Sequence, residues 1–301
     1  MNYTINQLKI FLKVVEMSSV TKASEVLFMT QPAVSIQLKN FQNQFDIPLI
    51  ELIGRRIYVT DFGQEIASIA ERVISELDEV TFKTKQYQGL LTGRLKISAA
   101  STGKYLIPFF LSEFLESNKG VDLLLDVTNK TQVIKSLKNN EIDFALVSVL
   151  PDDVMVDEEI LIDNHLYLVG NQQQFSKNKP LIYRENGSAT RVEMERFFQE
   201  KVENERKKME LTSNEAVKQA VIAGLGFSIL PLIGIKNELL NGELHIIHRK
   251  GLPLKTEWRL IWLKDKKLSP VAKAYLDFLK GNKTKILENN FDWYKSFNSK
   301  E

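Results

Sequence analysis

Nine residues near the start of the chain carry side chains suited to reading a nucleic acid. Thr21, Thr30, Gln31, Pro32, Ser35, Ile36 and Lys39 lie within residues 21–45, and Arg55 and Arg56 follow a few residues on. Hydroxyls, a carboxamide and a lysine hydrogen-bond base edges and phosphate oxygens. An outward isoleucine offers an apolar contact to a thymine methyl, where an arginine would favour guanine. Two adjacent arginines suit phosphate oxygens or the minor groove, because the guanidinium fork meets such acceptors in a fixed geometry.

A second group has the chemistry of a small-anion site. Ser101, Thr102 and Gly103, then Thr128 and Thr131, Ser148, Arg184, Ser188 and Thr190, and finally Thr212 and Asn214 fall at or just past the ends of expected strands. Hydroxyls, amides and a guanidinium converging with helix N-termini favour a negatively charged ligand. Ser, Thr and Asn also cap helices, so each of these taken singly reads first as a cap. The set at convergent positions points to binding, since solute pockets need only a few polar groups.

The first group must be positioned by helices. Val34, Leu38, Phe41 and Phe45 recur at i, i+4, i+7 and i+11, one stripe that packs inward. Pro32, Ile36, Lys39 and Asn43 therefore face out, with Gln31 and Ser35 at the flank. Thr30 is the expected N-cap, and Pro32 is tolerated because first-turn N–H groups lack intrahelical partners. Leu8, Phe11, Leu12 and Val15 supply a helix in front, and Ala23, Val26 and Leu27 one between. Residues 49–60 read as two short strands around Gly54, Arg55 and Arg56. A winged helix-turn-helix over residues 1–62 is the expectation, with an ordinary helical hairpin as the alternative.

Beyond it, Ile66, Ala70, Val73, Leu77, Val80 and Tyr87 keep a 4-3-4-3 spacing broken only at Thr84. This is a coiled-coil seam within a linker helix over residues 63–90, roughly 35 Å long at about 1.5 Å per residue, able to hold two heads in a dimer. A helix packed on its own domain is the alternative. Two glycines in residues 88–93 mark a hinge.

Residues 91–280 alternate strand and helix. Strands at 95–100, 121–128 and 143–149 with helices at 106–117 and 132–138 imply a parallel sheet with right-handed crossovers. A second lobe, about 166–266, has strands at 166–170, 181–183, about 209–212 and 227–230, with helices at 191–201 and 215–223. Runs at 245–249 and 258–263 return the chain to the first half, where 270–279 is a helix. The expectation is two α/β lobes around a cleft, with ligand at the carboxyl ends of strands. The tail, 281–301, reads equally as a docking helix or a partly ordered surface segment.

Bulk composition narrows the classes. A net charge of +2, from 40 basic and 38 acidic residues, argues against coating DNA by charge alone, so any contact must be local and shaped. Zero cysteines exclude disulfides and thiolate chemistry and fit a reducing compartment. The first residues lack the basic-then-apolar pattern of a signal peptide, which implies the cytoplasm. The most apolar run, 220–235, is too short and too interrupted by Gly and Pro for a membrane span and reads as helix, turn and strand. Only three histidines occur, His165, His245 and His248, and the latter two, three apart on a strand, cannot share a metal. No P-loop, dinucleotide fingerprint or Gly-x-Ser-x-Gly elbow is present. No cofactor and no catalytic residue are expected.

Three stretches carry a family resemblance: QLKIFLKVVEMSSVTKASEVL, TQPAVSIQLKNF and GRRIYVTDFG. Together they resemble the DNA-binding half of LysR-type transcriptional regulators, and the α/β half resembles their effector-binding domain, itself similar to periplasmic solute-binding proteins. The resemblance covers residues 1 to about 280. Family members often carry Arg or a polar residue at Ile36, Phe and Arg at Ile50 and Leu52, Leu-Glu at Phe41-Gln42, and Gly at Ala189. The stretches TGKYLIP and GSATR look most similar to members that regulate carbon-fixation or sulfur-assimilation operons, which respond to phosphorylated or sulfur metabolites. The resemblance implies double-stranded promoter DNA, a small-molecule effector, RNA polymerase and further copies of the chain as partners, with tetramers usual; the sequence itself supports at least a dimer. A solute-binding module without DNA activity and an enzyme on an α/β scaffold are the rival readings.

Overall fold

The structure, a computed structural model, describes residues 3–53, 56–87, 91–199 and 207–298. The chain divides into two compact units, Met1–Gly89 and Leu90–Glu301.

The first unit opens with α1 (Ile5–Met17), which begins in a capping box: the Thr4 side chain accepts from the Gln7 N–H while the Gln7 side chain accepts from the Thr4 N–H. It ends on Ser18 in the left-handed region. Ser19 caps α2 (Val20–Val26), and α3 (Gln31–Gln42) follows after a short turn. Strands β1 (Ile50–Ile53) and β2 (Arg56–Val59) pair antiparallel, with Ile50 opposite Val59. Val34, Leu38 and Phe41 are buried with Leu8, Phe11, Val14, Ala23 and Leu49, so the inward stripe of α3 and the winged helix-turn-helix are as expected. Val26 is not part of this core; it is exposed, while the neighbouring Ser24 is buried and donates its hydroxyl to the Thr21 carbonyl at 2.7 Å.

Helix α4 (Asp61–Tyr87) corrects part of the seam reading. Ala67 and Ala70 are buried in the first unit's core and Ile66 and Ile74 pack against it, so the front of the helix lies on its own domain. Among the residues of α4 whose burial is described, the large apolar ones exposed to solvent are Ile69, Val73 and Val80. They share a face at spacings of four and seven; Val73 and Val80 belong to the expected seam, and only at its start does Ile69 stand outside in place of Ile66 and Ala70. Residues 88–90 of the expected hinge lie outside the described residues.

The second unit is a mixed sheet with helices on it. Its elements are β3 (Thr92–Ala100), a 3-10 turn (Ser101–Tyr105), α5 (Ile107–Ser117), β4 (Gly120–Thr128), α6 (Lys130–Lys138), β5 (Phe144–Val147), β6 (Val156–Gly170), β7 (Leu181–Arg184), α7 (Ala189–Gln199), β8 (Lys208–Leu211), α8 (Asn214–Ile222), β9 (Ser228–Pro231), a 3-10 turn (Leu232–Gly234), α9 (Lys236–Leu240), β10 (His245–Ile246), β11 (Leu254–Leu263), α10 (Pro270–Phe291) and α11 (Trp293–Asn298). The main sheet runs β10-β6-β11-β5-β3-β4, and β9 also pairs with β6. In the first lobe β3 lies parallel to both β4 and β5. In the second, β7 and β8 are parallel and Leu181 bridges to Phe227.

The two lobes share strands. β6 and β11 pair antiparallel over their length; β11 also binds β5 in the first lobe, and the end of β6 binds β9 in the second. The second lobe has its own core, with Leu168, Tyr183, Met194, Phe198 and Phe227 among its buried residues.

Three expectations for this unit need correction. The front half of β6, 156–165, was not anticipated. The strand expected at 245–249 is reduced to two residues. The helix expected to stop at 279 continues to Phe291, because Ile286 and Phe291 are buried in the main core. Gly281 within it weakens the helix by only about 1 kcal/mol relative to alanine. The tail therefore docks: Tyr294 is buried, its hydroxyl accepts from the His165 N–H at 2.9 Å, and Lys236 sits over the Trp293 ring.

Candidate functional site

In the first unit the expected DNA-reading residues that are described stand in solvent. Gln31, Pro32, Ser35, Ile36 and Lys39 lie on α3, Thr30 just before it and Thr21 on α2, and all seven are exposed. Ile36 keeps 57% of its surface in solvent. Thr30 stands at the N-cap position with extended backbone, yet its side chain makes no capping hydrogen bond. An N-cap side chain accepts from the second or third helical N–H, and Pro32 at the second position has none. The Thr30 hydroxyl is thus not committed to the helix. Arg55 lies outside the described residues, and Arg56 opens β2 with only its backbone described. One residue of this region was passed over in the sequence: Phe28, in the turn before α3, is 98% exposed and holds a φ of 53°, where glycine is the usual occupant.

In the second unit the ends of β3, β4 and β7 converge. Ser101 Oγ donates to the Thr128 carbonyl at 3.0 Å and accepts from Arg184 Nη2 at 3.2 Å, a chain of contacts from one lobe to the other. The Arg184 side chain is only 3% exposed, and its Nε and Nη2 fork onto the two Glu185 carboxylate oxygens at 2.8 and 2.7 Å. Arg191 Nη1 donates to the Arg184 carbonyl at 3.0 Å and steadies the turn that follows. In that turn Gly187 has a φ of +85°, and a Cβ there would stand 2.6 Å from Thr131 Oγ1. The second lobe's turn therefore rests directly on the start of α6. Ser188 and Thr190 are buried where α7 begins. Asn214 is buried at the first position of α8, with neither amide atom hydrogen-bonded.

The other expected residues are placed differently. Thr102 and Gly103 are buried, and a Cβ on Gly103 would meet Leu146 at 2.7 Å, so this turn presses on the core rather than into the opening between the lobes. Thr212 is exposed on the connection into α8. Ser148 lines a cavity of about 700 Å³ floored by β6 and β11, together with Leu150, Asp163, His165, Glu193 and Lys255.

Two features were not singled out beforehand. Lys130 Nζ donates to the Leu150 carbonyl at 3.2 Å, and partial burial pushes its pKa down. A polar clasp also spans the lobes. Tyr105 Oη donates to Glu215 at 3.2 Å, and Lys218 reaches Glu215 at 3.1 Å and Glu238 at 2.6 Å. Burial disfavours the Lys218 ammonium, but the two carboxylates outweigh it and raise its pKa. Both features join residues far apart in the chain, and nothing in the local pattern announces them. Among the described residues no group of three or more His, Cys, Asp or Glu could hold a metal, and no helix is long and apolar enough to cross a membrane.

Known proteins match both units. Residues 5–64 fit the family described as bacterial regulatory helix-turn-helix protein, lysR family, and residues 88–283 fit LysR substrate binding domain. The chain belongs to the LysR family. This LysR-type regulator is 37% identical over 289 residues to the HTH-type transcriptional activator CmpR of Synechocystis sp., covering 92% of this chain and 95% of that one. It is 33% identical to the RuBisCO operon transcriptional regulator of Allochromatium vinosum, over 93% and 96% of the two chains. Its second unit is similar to the Synechocystis CcmR regulatory domain solved in complex with 2-PG, at 31% identity and a TM-score of 0.57, covering 63% of this chain and 97% of that one. The full-length OxyR of Pseudomonas aeruginosa shares the fold of the whole chain, with a TM-score of 0.69 at 17% identity over 95% of each.

Proposed function

We propose that this LysR-type protein is a cytoplasmic transcription factor that reads promoter DNA with α3 and responds to a small anionic metabolite held between the lobes of its second unit. The observation that carries the ligand half is Arg184, a buried guanidinium at the meeting of both lobes, on the Ser101 hydroxyl that itself donates to the Thr128 carbonyl; in the same lobe as Arg184, the buried amide of Asn214 at the start of α8 has no hydrogen-bond partner. A buried cation amid hydroxyl and amide groups suits a carboxylate or phosphate. The 2-PG complex of the CcmR regulatory domain and the RuBisCO operon relatives support a metabolite of carbon fixation as its class.

The DNA half rests on the exposed polar face of α3, with Arg55 and Arg56 assigned to the wing and its phosphate contacts. Copies of the chain join through α4, and RNA polymerase is the further partner. The reading assigns no cofactor and no catalytic step. Footprinting of the full chain on the DNA upstream of its own gene, with and without 2-PG, tests it. A protected site whose extent changes with 2-PG is expected, and no protection at moderate salt would reject the reading.

A further inference from the structure

The fork between Arg184 and Glu185 puts a carboxylate in the place an acidic ligand would take. Both Glu185 oxygens engage the guanidinium, at 2.7 and 2.8 Å, and the remaining described contact of its donors is the Ser101 hydroxyl. This is the bidentate geometry that a free carboxylate or phosphate adopts on arginine. Glu185 comes from the residue next in the chain, so it arrives at high effective concentration without further folding. It is also the more accessible partner, with 16% of its side chain exposed against 3% for Arg184. The carboxylate can swing to solvent; the guanidinium cannot.

Taking the proposed anion site as given, we infer that Glu185 is its built-in competitor, an internal carboxylate that a ligand must displace from Arg184. Binding is then an exchange of one anion for another on the same fork. A ligand with a single acidic group offers Arg184 little that Glu185 does not already supply. A ligand gains only by making further contacts, and the hydrogen-bonding group that the structure places on the fork is the Ser101 hydroxyl. The site therefore selects compounds with two acidic groups, or an acidic group and a second polar one, over simple anions.

The exchange also sets affinity through electrostatics. With Glu185 displaced, a dianionic ligand leaves the buried guanidinium compensated and sends one carboxylate back to water. Without the Glu185 charge, the guanidinium would be uncompensated until an anion arrived, and binding would no longer compete with an internal partner.

The test is calorimetric titration of the full chain with 2-PG and, separately, with inorganic phosphate. Glu185→Gln should bind 2-PG at least tenfold more tightly than the natural protein and should gain measurable affinity for inorganic phosphate. It should also melt at lower temperature without ligand and recover more of that loss when 2-PG is added. Glu185→Asp keeps the charge but is one methylene short of the fork, so it should move affinity the same way by a smaller factor; should Glu185→Gln not fold, the outcome is read from it. Arg184→Met should abolish binding. Unchanged or weaker 2-PG binding by both Glu185 variants, with Arg184→Met still defective, would overturn the competitor while leaving the anion site intact. Full binding by Arg184→Met would instead overturn the anion site itself.

Discussion

Ile36 and Gly187 show how much one residue decides at each end of this protein. Ile36 faces out of α3 with no polar atom in its side chain, so the proposed contact with DNA at this position is an apolar one. Ile36→Arg should turn preference at one base position from thymine toward guanine, by about 1–3 kcal/mol for a bidentate contact. Selection from randomised duplexes would show it, and an unaltered site preference would remove Ile36 from the interface. Gly187 is fixed from two directions, by its positive φ and by Thr131 against its Cα. Gly187→Ala should cost about 1–3 kcal/mol through backbone strain. It should also lever the turn off α6 and weaken 2-PG binding; a melting temperature equal to the natural protein's would show that the contact yields freely. At this scale the sequence was informative about residue types and blind to pairing. It pointed to Ser101, Thr128 and Arg184 together, because all three lie at or just past the ends of strands. It did not reveal that Glu185 holds the guanidinium, since a neighbour in a polar turn looks like any solvated carboxylate.

Elements were legible where one periodicity prevailed. The stripe Val34, Leu38 and Phe41 identified α3 because its burial is one-sided and local. β6 escaped because its first half carries Asp157, Glu158, Glu159 and Asp163 and owes its strand form to pairing with β11, nearly a hundred residues away. α10 was cut short at Gly281 for the same kind of reason, since the burial of Ile286 and Phe291 is tertiary. Ile286→Ala should accordingly destabilise the second unit by about 2–5 kcal/mol, as expected for a truncated core side chain. Denaturant unfolding would measure this, and a loss below about 0.5 kcal/mol would mean that the extension of α10 is dispensable. On α4 the outward residues make the opposite prediction. Val80 is 65% exposed, so Val80→Asp should leave the first unit's melting unaffected while shifting sedimentation toward smaller species. An unchanged oligomer would place the self-association surface elsewhere.

Among the described residues of the second unit, the ties between the lobes include the shared strands β6 and β11, the Arg184–Ser101 contact, the Gly187 turn on α6, and the clasp of Tyr105, Glu215 and Lys218. The clasp responds to pH with a definite sign. Partial burial pushes the Glu215 carboxyl up, but hydrogen bonds from Gln219, Lys218 and Tyr105 outweigh it and hold its pKa below the ordinary value. A depressed carboxylate stabilises the fold above its unfolded pKa, and that contribution fades as pH falls through the folded value. The difference in melting temperature between the natural protein and Glu215→Gln should therefore be constant near neutrality and shrink below about pH 4.5. It should be small throughout, about 1 kcal/mol or less, because nearly half of the Glu215 side chain is exposed and water screens the pair. A difference that grows on acidification would contradict this account of the clasp. If 2-PG and DNA act on the same lobe arrangement, each must alter the affinity for the other by an equal factor.

The strand order has a consequence for how the molecule is made. β11 is the last strand in the chain, yet it lies between β6 and β5 in the middle of the main sheet. Until about residue 263 has left the ribosome, β5 and β6 both present open edges that invite pairing with other chains. The first unit has all its described elements by Tyr87 and can fold as soon as they emerge. A newborn chain can thus own a finished DNA reader long before it owns a closed sensor, and a polypeptide released early would keep the reader without the sensor.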